Sequence, residues 1–387
     1  CAPSNIIYNM VKNYVYAGFP EIDDSNLLEL DLTEAAKEGQ VKQVLAERFG
    51  KEMKFDVIIG NPPYQINDGG GTGDSAVPVY HTFIEESKKI STRYLLMIVP
   101  SRWMKGGKGL DNFRINMLSD TSITYVYDFE NAKECFPSLN IDGGICYFLW
   151  DRLHKGELDY IYKPKDSKEI YSRRFLMNKI SGNVVRDYRQ LSIIEKATQY
   201  NEPKFSKIVS PRKPYGIATD LFNNPEKYGL QSIPERYFPD SLRIFGVKGN
   251  KGGAKRRIGY IDERLVVDDG SVNSYKLFCS YAYTTTSTVL PELIIGKPRE
   301  VCTETFLRVG FFSEEIMAEN CLTYIHSKFF RALLFFNRIQ KNLSRSTFKL
   351  IPMQDFSKRW TDKELYAKYN LDEDEIELIE SMIRPMK

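Results

Sequence analysis

FDVIIGNPPYQIND, residues 55–68, decides how the rest of the chain is read. Five mostly apolar residues end in Asn61-Pro62-Pro63-Tyr64 and then in a glycine-rich stretch. Neither proline can donate a backbone hydrogen bond, so a strand beginning at Phe55 must stop at Gly60. A stop this stiff, carrying an amide and a flat ring, suits the grip of a planar ligand. A rigid strand-ending turn is the plain alternative.

Around this stretch the sequence alternates. Apolar positions at helical spacing begin after Pro3-Ser4, and the short strand NLLEL ends at Asp31. A helical stretch follows over about 34–49. After FDVIIG come a helix in VPVYHTFIEESKKI, a strand in YLLMIVP, a helix near LDNFRINML, and strands in ITYVYDF and GICYFLW. LDYIYKP adds an edge strand. Continuous apolar runs separated by helices predict an α/β fold with a doubly wound, parallel sheet buried on both faces, with an antiparallel pair among its last strands as an alternative. Beyond about residue 163 the rhythm breaks into shorter segments rich in Arg, Lys, Tyr and Phe. This divides the chain into 1–163 and a mixed α+β part, 164–387. The second part has β-like runs at RLVV, YKLFCSYAY and ELIIG, a long helix over about 313–340, and a last helix over 372–382.

The 387 residues are 42% hydrophobic and 27% charged, with a net charge of +3, as in an ordinary globular chain of two domains. No apolar run reaches the ~20 residues of a membrane helix, and the first residues do not read as a secretory signal. Six scattered cysteines and three distant histidines form no close ligand pair. A cytoplasmic protein with reduced thiols and no metal is expected.

Asn-Pro-Pro-Tyr directly after an apolar strand resembles the catalytic motif of amino-methyltransferases, above all the adenine-N6 DNA methyltransferases of type II and IIG restriction–modification systems. YLLMIVPSRWMKGGKGLDNFR, ITYVYDFENAKECFPSLNIDGGICYFLW and LSRSTFKLIPMQDF are similar to later parts of that family. The resemblance implies a Rossmann-like catalytic domain and a C-terminal target-recognition domain. It also implies S-adenosylmethionine as cofactor, double-stranded DNA as partner, and a target adenine flipped from the helix. Asp31, Asn61 and Pro62 would touch the cofactor, and Asn61, Pro62, Pro63 and Tyr64 would form the catalytic turn. The family's glycine loop and ribose-binding acid precede the helix with which this sequence opens. The chain therefore reads as N-terminally truncated, with an upstream polypeptide as a candidate to complete the cofactor site.

The motif makes chemical sense. An exocyclic adenine amine is a poor nucleophile because its lone pair is delocalised into the ring. The Asn61 amide oxygen and the Pro62 carbonyl can accept its two hydrogens, which favours the tetrahedral nitrogen of the transition state. Tyr64 can stack on the base, a contact worth roughly 1–3 kcal/mol. No covalent intermediate is needed, so no catalytic cysteine is expected.

Other residues carry weaker signals. Arg102 and Trp103 follow the YLLMIVP strand and are candidates for a DNA phosphate and the wall of the base pocket; a capping Trp beside a surface Arg is the alternative. Asp128 ends a strand and reads equally as structural or functional. DGGGTGD, residues 68–74, suits a loop closing over the base rather than a P-loop. Arg243 to Arg257 is a glycine-interrupted basic run in which Lys248, Lys251, Lys255, Arg256 and Arg257 would follow a phosphate backbone, with Arg345 as a second contact. Glu52-Met53-Lys54 lacks the context of a nuclease. Two further readings stand beside methylation of DNA adenine: a DNA-binding specificity subunit without catalysis, and N-methylation of RNA or of a protein amide.

Overall fold

Phe55–Gly60 forms the edge strand of a six-stranded sheet in the computed structural model of the protein. The structure describes residues 5–66, 77–104, 106, 109–138, 141, 143–180, 182, 184–249, 253–283, 287–291, 293–337 and 342–386. Two units are present, Cys1–Arg186 and Asp187–Lys387.

The first unit runs α1 (Asn5–Gly18), α2 (Thr33–Glu38), α3 (Val41–Phe49), β1 (Phe55–Gly60), β2 (Gln65–Ile66), β3 (Val77–Pro78), α4 (Tyr80–Ile90), β4 (Ser91–Pro100), α5 (Asp111–Ser119), β5 (Ile123–Phe129), β6 (Ile145–Asp151), β7 (Leu158–Lys163) and β8 (Ile170–Arg174). The sheet order is β1-β4-β6-β5-β7-β8. The expected α/β class holds, but the expected parallel sheet does not extend across it. Parallel pairing is confined to β1 with β4 and β5 with β7, whereas β4–β6, β6–β5 and β7–β8 are antiparallel. The reason lies in the connections. A parallel neighbour needs a crossover of a dozen or more residues, usually helical, and α4 supplies one between β1 and β4. Between β5 and β6 the described residues hold a 3-10 turn at Ala132–Glu134 and no α-helix to serve as a crossover, and β6 returns antiparallel between β4 and β5. LDYIYKP is an interior strand, because β8 pairs outside it.

Burial on two faces is also expected, and one face meets it. Leu95, Met97, Val126, Phe148 and Tyr160 are buried in a core with Tyr80 and Ile84 of α4 and Phe113 and Met117 of α5. Alternate residues of β1 point the other way. Val57 and Ile59 are 53% and 72% exposed, on a strand where one more residue flips the face. NLLEL is not a strand of this sheet; Leu30 and Leu32 pack instead with Ala36, Val41 and Leu45 of α2 and α3. The single helix expected over 34–49 is split in two at Gly39–Gln40.

The unit continues past the boundary expected at residue 163. Leu176 and Val184 join the sheet core, and Arg186 forms an ion pair with the fully buried Asp128. At the start of β6, Gly144 has φ +86°, and a Cβ there would lie 2.0 Å from the Phe129 carbonyl oxygen. Gly144→Ala is expected to destabilise the unit by about 3 kcal/mol, combining left-handed strain with overpacking. Urea unfolding of the two proteins measures it.

The second unit contains α6 (Arg189–Thr198), β9 (Ser241–Lys248), β10 (Lys255–Asp262), β11 (Tyr275–Ser280), β12 (Leu293–Gly296), β13 (Glu300–Cys302), β14 (Phe306–Phe312), α7 (Glu315–His326), α8 (Lys328–Asn337), α9 (Asp362–Lys368) and α10 (Glu373–Met382). Its strands form two three-stranded sheets, β10-β9-β13 and β12-β11-β14. RLVV is no strand; Glu263–Leu265 is a 3-10 turn. The helix expected over 313–340 is two helices, because Ser327 interrupts it. The Ser327 hydroxyl donates to the Tyr324 carbonyl at 2.7 Å and accepts the Phe330 N–H at 3.1 Å, closing α7 and opening α8. Phe329 and Phe336 are buried, as a core reading of this segment requires. Lys276 is also buried, its ammonium donating to the carbonyls of Ser271, Val272 and Glu300 at 2.7, 2.9 and 3.0 Å. Among the described residues no helix is long and apolar enough to cross a membrane.

Candidate active site and nucleic-acid interface

β1 and β4 run in parallel with Gly60 opposite Met97. A Cβ on Gly60 would lie 2.8 Å from the Met97 sulfur, so glycine lets the two strand ends close together just where the motif begins. The chain then turns through Asn61, exposed, Pro62, buried, Pro63, exposed, and Tyr64, half-buried. Two anchors hold the far side of this turn. The Tyr64 carbonyl accepts the Val79 N–H at 3.2 Å, and β2 pairs with β3 immediately after it. The turn therefore sits at the carboxyl end of a parallel pair, where open α/β sheets bind ligands.

A cavity of about 1020 Å³ opens beside it, lined by Leu30, Asp31, Phe49, Phe55, Asn61 and Phe136 among others. The structure thus brings Asp31 and Asn61–Tyr64 to one pocket, from segments 30 residues apart. Asp31 accepts the Thr33 N–H at 2.8 Å. Thr33, through side-chain and backbone hydrogen bonds, holds this carboxyl below its ordinary range. It is an ionised acceptor at neutral pH. Burial, with Cys135 and Cys146 nearby, pushes the Tyr64 phenol up to about 12, so the ring stays neutral. Its hydroxyl has no partner among the described residues. A carboxylate and an amide above apolar walls are the chemistry that an adenine-bearing ligand needs.

Sequence reading missed Phe136 and Ser138, which line the same cavity from the β5–β6 connection. Nothing in their local sequence marks them; the antiparallel return of β6 brings them there. Trp103 is a correction. It is fully buried and meets Phe113 edge-on at 5.9 Å, so it packs the sheet core and does not face DNA. An indole buries more apolar surface than the strand-end position left exposed. Arg102 beside it is exposed. The 68–74 loop lies outside the described residues, as does Lys251.

The basic run of the second unit is a β-hairpin rather than a loop. β9 and β10 pair antiparallel with Lys248 opposite Lys255, Val247 opposite Arg256 and Gly246 opposite Arg257. Lys248, Lys255, Arg256 and Arg257 are exposed. Lys248, Lys255 and Arg257 make no ion pair among the described residues, whereas Arg243 is paired with Glu300 at 2.7 Å. Lys248 and Lys255 thus face each other at this end of the hairpin, and like charges directly opposite destabilise a ladder. Arg345 is part of the fold as well as the surface: its Nε donates to the Val209 carbonyl at 2.7 Å.

Comparison with known proteins bears on the first unit. Residues 6–136 match the family described as Eco57I restriction-modification methylase. An uncharacterized adenine-specific methylase of Mycoplasma pneumoniae is 39% identical over 137 residues. That stretch covers 34% of this chain and 32% of the relative, so the match spans about a third of the relative's length. Solved structures with partial similarity include the Type IIL restriction-modification enzyme MmeI in complex with DNA, at 10% identity, 90% coverage of this chain, 60% of that chain and a TM-score of 0.41. They also include a nuclease-deletion mutant of the Type ISP enzyme LlaGI in complex with a DNA substrate mimic, at 9% identity, 89% and 45% coverage and a TM-score of 0.44. A modification subunit of a putative type I restriction enzyme from Vibrio vulnificus has 14% identity, 43% and 35% coverage and a TM-score of 0.31. The Asn61–Tyr64 turn lies within the residues, 6–136, that match the Eco57I restriction-modification methylase family.

Proposed function

We propose that the protein takes part in restriction–modification by methylating the exocyclic N6 amine of an adenine flipped out of double-stranded DNA, with S-adenosylmethionine as methyl donor. The observation that carries this reading is the Asn61–Tyr64 turn at the end of β1, sharing one cavity with Asp31. Asp31 would accept a hydrogen bond from the cofactor's adenine amine, and the apolar wall of Leu30, Phe49 and Phe55 would take its flat ring. The bound cofactor supplies an electrophilic methyl group.

The chain's own residues prepare the nucleophile. The Asn61 amide oxygen and the Pro62 carbonyl accept the two hydrogens of the target amine, drawing its lone pair out of the ring. Two prolines fix that carbonyl before the base arrives, so little reorganisation is left for the transition state. Tyr64 stacks on the extruded base and replaces part of the stacking it had in the duplex. Catalysis rather than binding alone is favoured by this turn, since DNA affinity by itself needs no amine acceptor. β1 is the edge strand beside the cavity, and further polypeptide pairing there would complete the cofactor-binding wall.

The first test is calorimetric titration of S-adenosylmethionine into the protein, followed by methyl transfer to DNA. Micromolar binding and labelled N6-methyladenine are expected. Transfer to RNA or a protein amide, with none to DNA, would overturn the substrate assignment.

The hairpin would hold the phosphate backbone. Replacing Lys248, Lys255 and Arg257 together by Ala is expected to weaken DNA binding for all sequences alike. The slope of log K against log salt should fall by about 3, close to one for each phosphate that is no longer neutralised. Fluorescence anisotropy across a salt series reads both effects.

A further inference from the structure

Asp128 is fully buried near the end of β5 and takes part in none of the chemistry above, yet donors from three separate places in the chain reach it. The Ser101 hydroxyl, one residue beyond β4, donates at 2.6 Å, and the Tyr160 hydroxyl of β7 donates at 2.6 Å. The Arg186 guanidinium donates to both carboxylate oxygens. It also donates to the neighbouring Phe129 carbonyl at 3.2 Å. Burial acts against the Arg186 charge, and the Asp128 carboxylate more than offsets it.

Ser101 does a second thing. Its N–H donates to the Gly144 carbonyl at 3.0 Å. One residue therefore ties the end of β4 both to Asp128, at the end of β5, and to Gly144, where β6 is about to begin. The β5–β6 connection is pinned at both ends by this arrangement, and that connection carries Phe136 and Ser138 to the wall of the cavity that holds Asn61.

A buried ion pair is weak evidence for stability, because apolar residues of the same volume often do as well. Ser101 is the one of these donors that also reaches the backbone at Gly144, beside the connection that lines the cavity. We propose that Asp128, oriented by Arg186, is a positioning residue that acts through Ser101 to fix the Phe136–Ser138 wall of the cavity beside the base to be methylated. This rests on the methylation reading.

Ser101→Ala removes one hydrogen bond and leaves the Asp128–Arg186 pair in place. The expected result is single-turnover methyl transfer about tenfold slower, in keeping with the steep cost of sub-ångström misplacement, while the calorimetric cofactor affinity stays at its wild-type value and the melting temperature falls only by what one lost buried hydrogen bond costs. Ser101→Thr and Ser101→Val form a second comparison. They share the same added bulk and differ only in the hydroxyl, so Thr is expected to transfer faster than Val. Wild-type rates in Ser101→Ala, or equal rates in the Thr and Val proteins, overturn the inference. A wild-type protein that transfers nothing to DNA overturns the methylation reading and this inference with it, and the wild-type control tells that case apart.

Discussion

Replacing Asn61 by Ala is expected to lower the proposed methyl transfer to DNA at least ~100-fold, the cost typical of losing one preorganised polar contact to a transition state. DNA affinity stays close to wild type, because the duplex would be held by exposed cations of the second unit and not by this amide. The Asn61 side chain is exposed at the cavity, so truncating it removes an acceptor without opening a hole in the core. Its loss should appear in kcat rather than in the Michaelis constant for DNA, since the two hydrogens of the amine are fully drawn away only in the transition state. Single-turnover transfer of labelled methyl groups, beside anisotropy measurements of DNA binding, separates the two quantities. Full activity in this variant would remove the assignment of the turn as catalytic.

Breaking the buried ion pair has the largest expected effect on stability. Arg186→Met leaves the Asp128 carboxylate, which has no solvent exposure, with two hydroxyl donors and no counter-charge. The expected loss is ~3–5 kcal/mol, most of it the penalty of an uncompensated buried charge. The double variant Asp128→Leu, Arg186→Met should be less destabilised than Arg186→Met alone, because it removes the stranded charge along with its partner. Chemical denaturation followed by tryptophan fluorescence compares them, with Trp103 and Trp150 as reporters in the core of the first unit. A single variant as stable as wild type would mean that solvent reaches Asp128 freely.

Much of the first unit is legible in the sequence. Period and length place β1, α4, β4, α5, β5 and β6 within a few residues, since long apolar runs and their breakers act locally. The Asn61–Tyr64 turn is legible for the same reason: two prolines stop a strand whatever surrounds it. The expectations that fail do so through non-local pairing. NLLEL has the composition of a strand, yet Leu30 and Leu32 find a better-packed place with α2 and α3. Trp103 follows a strand as a surface residue might, but Phe113 of α5 is there to receive it. The basic run contains glycines and reads as a loop, whereas Lys248 and Lys255 face each other across a hairpin.

The sequence by itself determined the succession β1, α4, β4, α5, β5 and β6, the end of β1 and the chemical identity of the turn. These depend on dihedral limits and on the donors and acceptors that each side chain carries. Only the tertiary structure decided that β6 runs antiparallel between β4 and β5, that Asp31 and Asn61 share a cavity, and that Asp128 is a buried hub. Those outcomes depend on which distant backbone edges and apolar faces meet. A carboxylate's role follows from the donors folded around it, and for Asp128 these come from positions 101, 160 and 186.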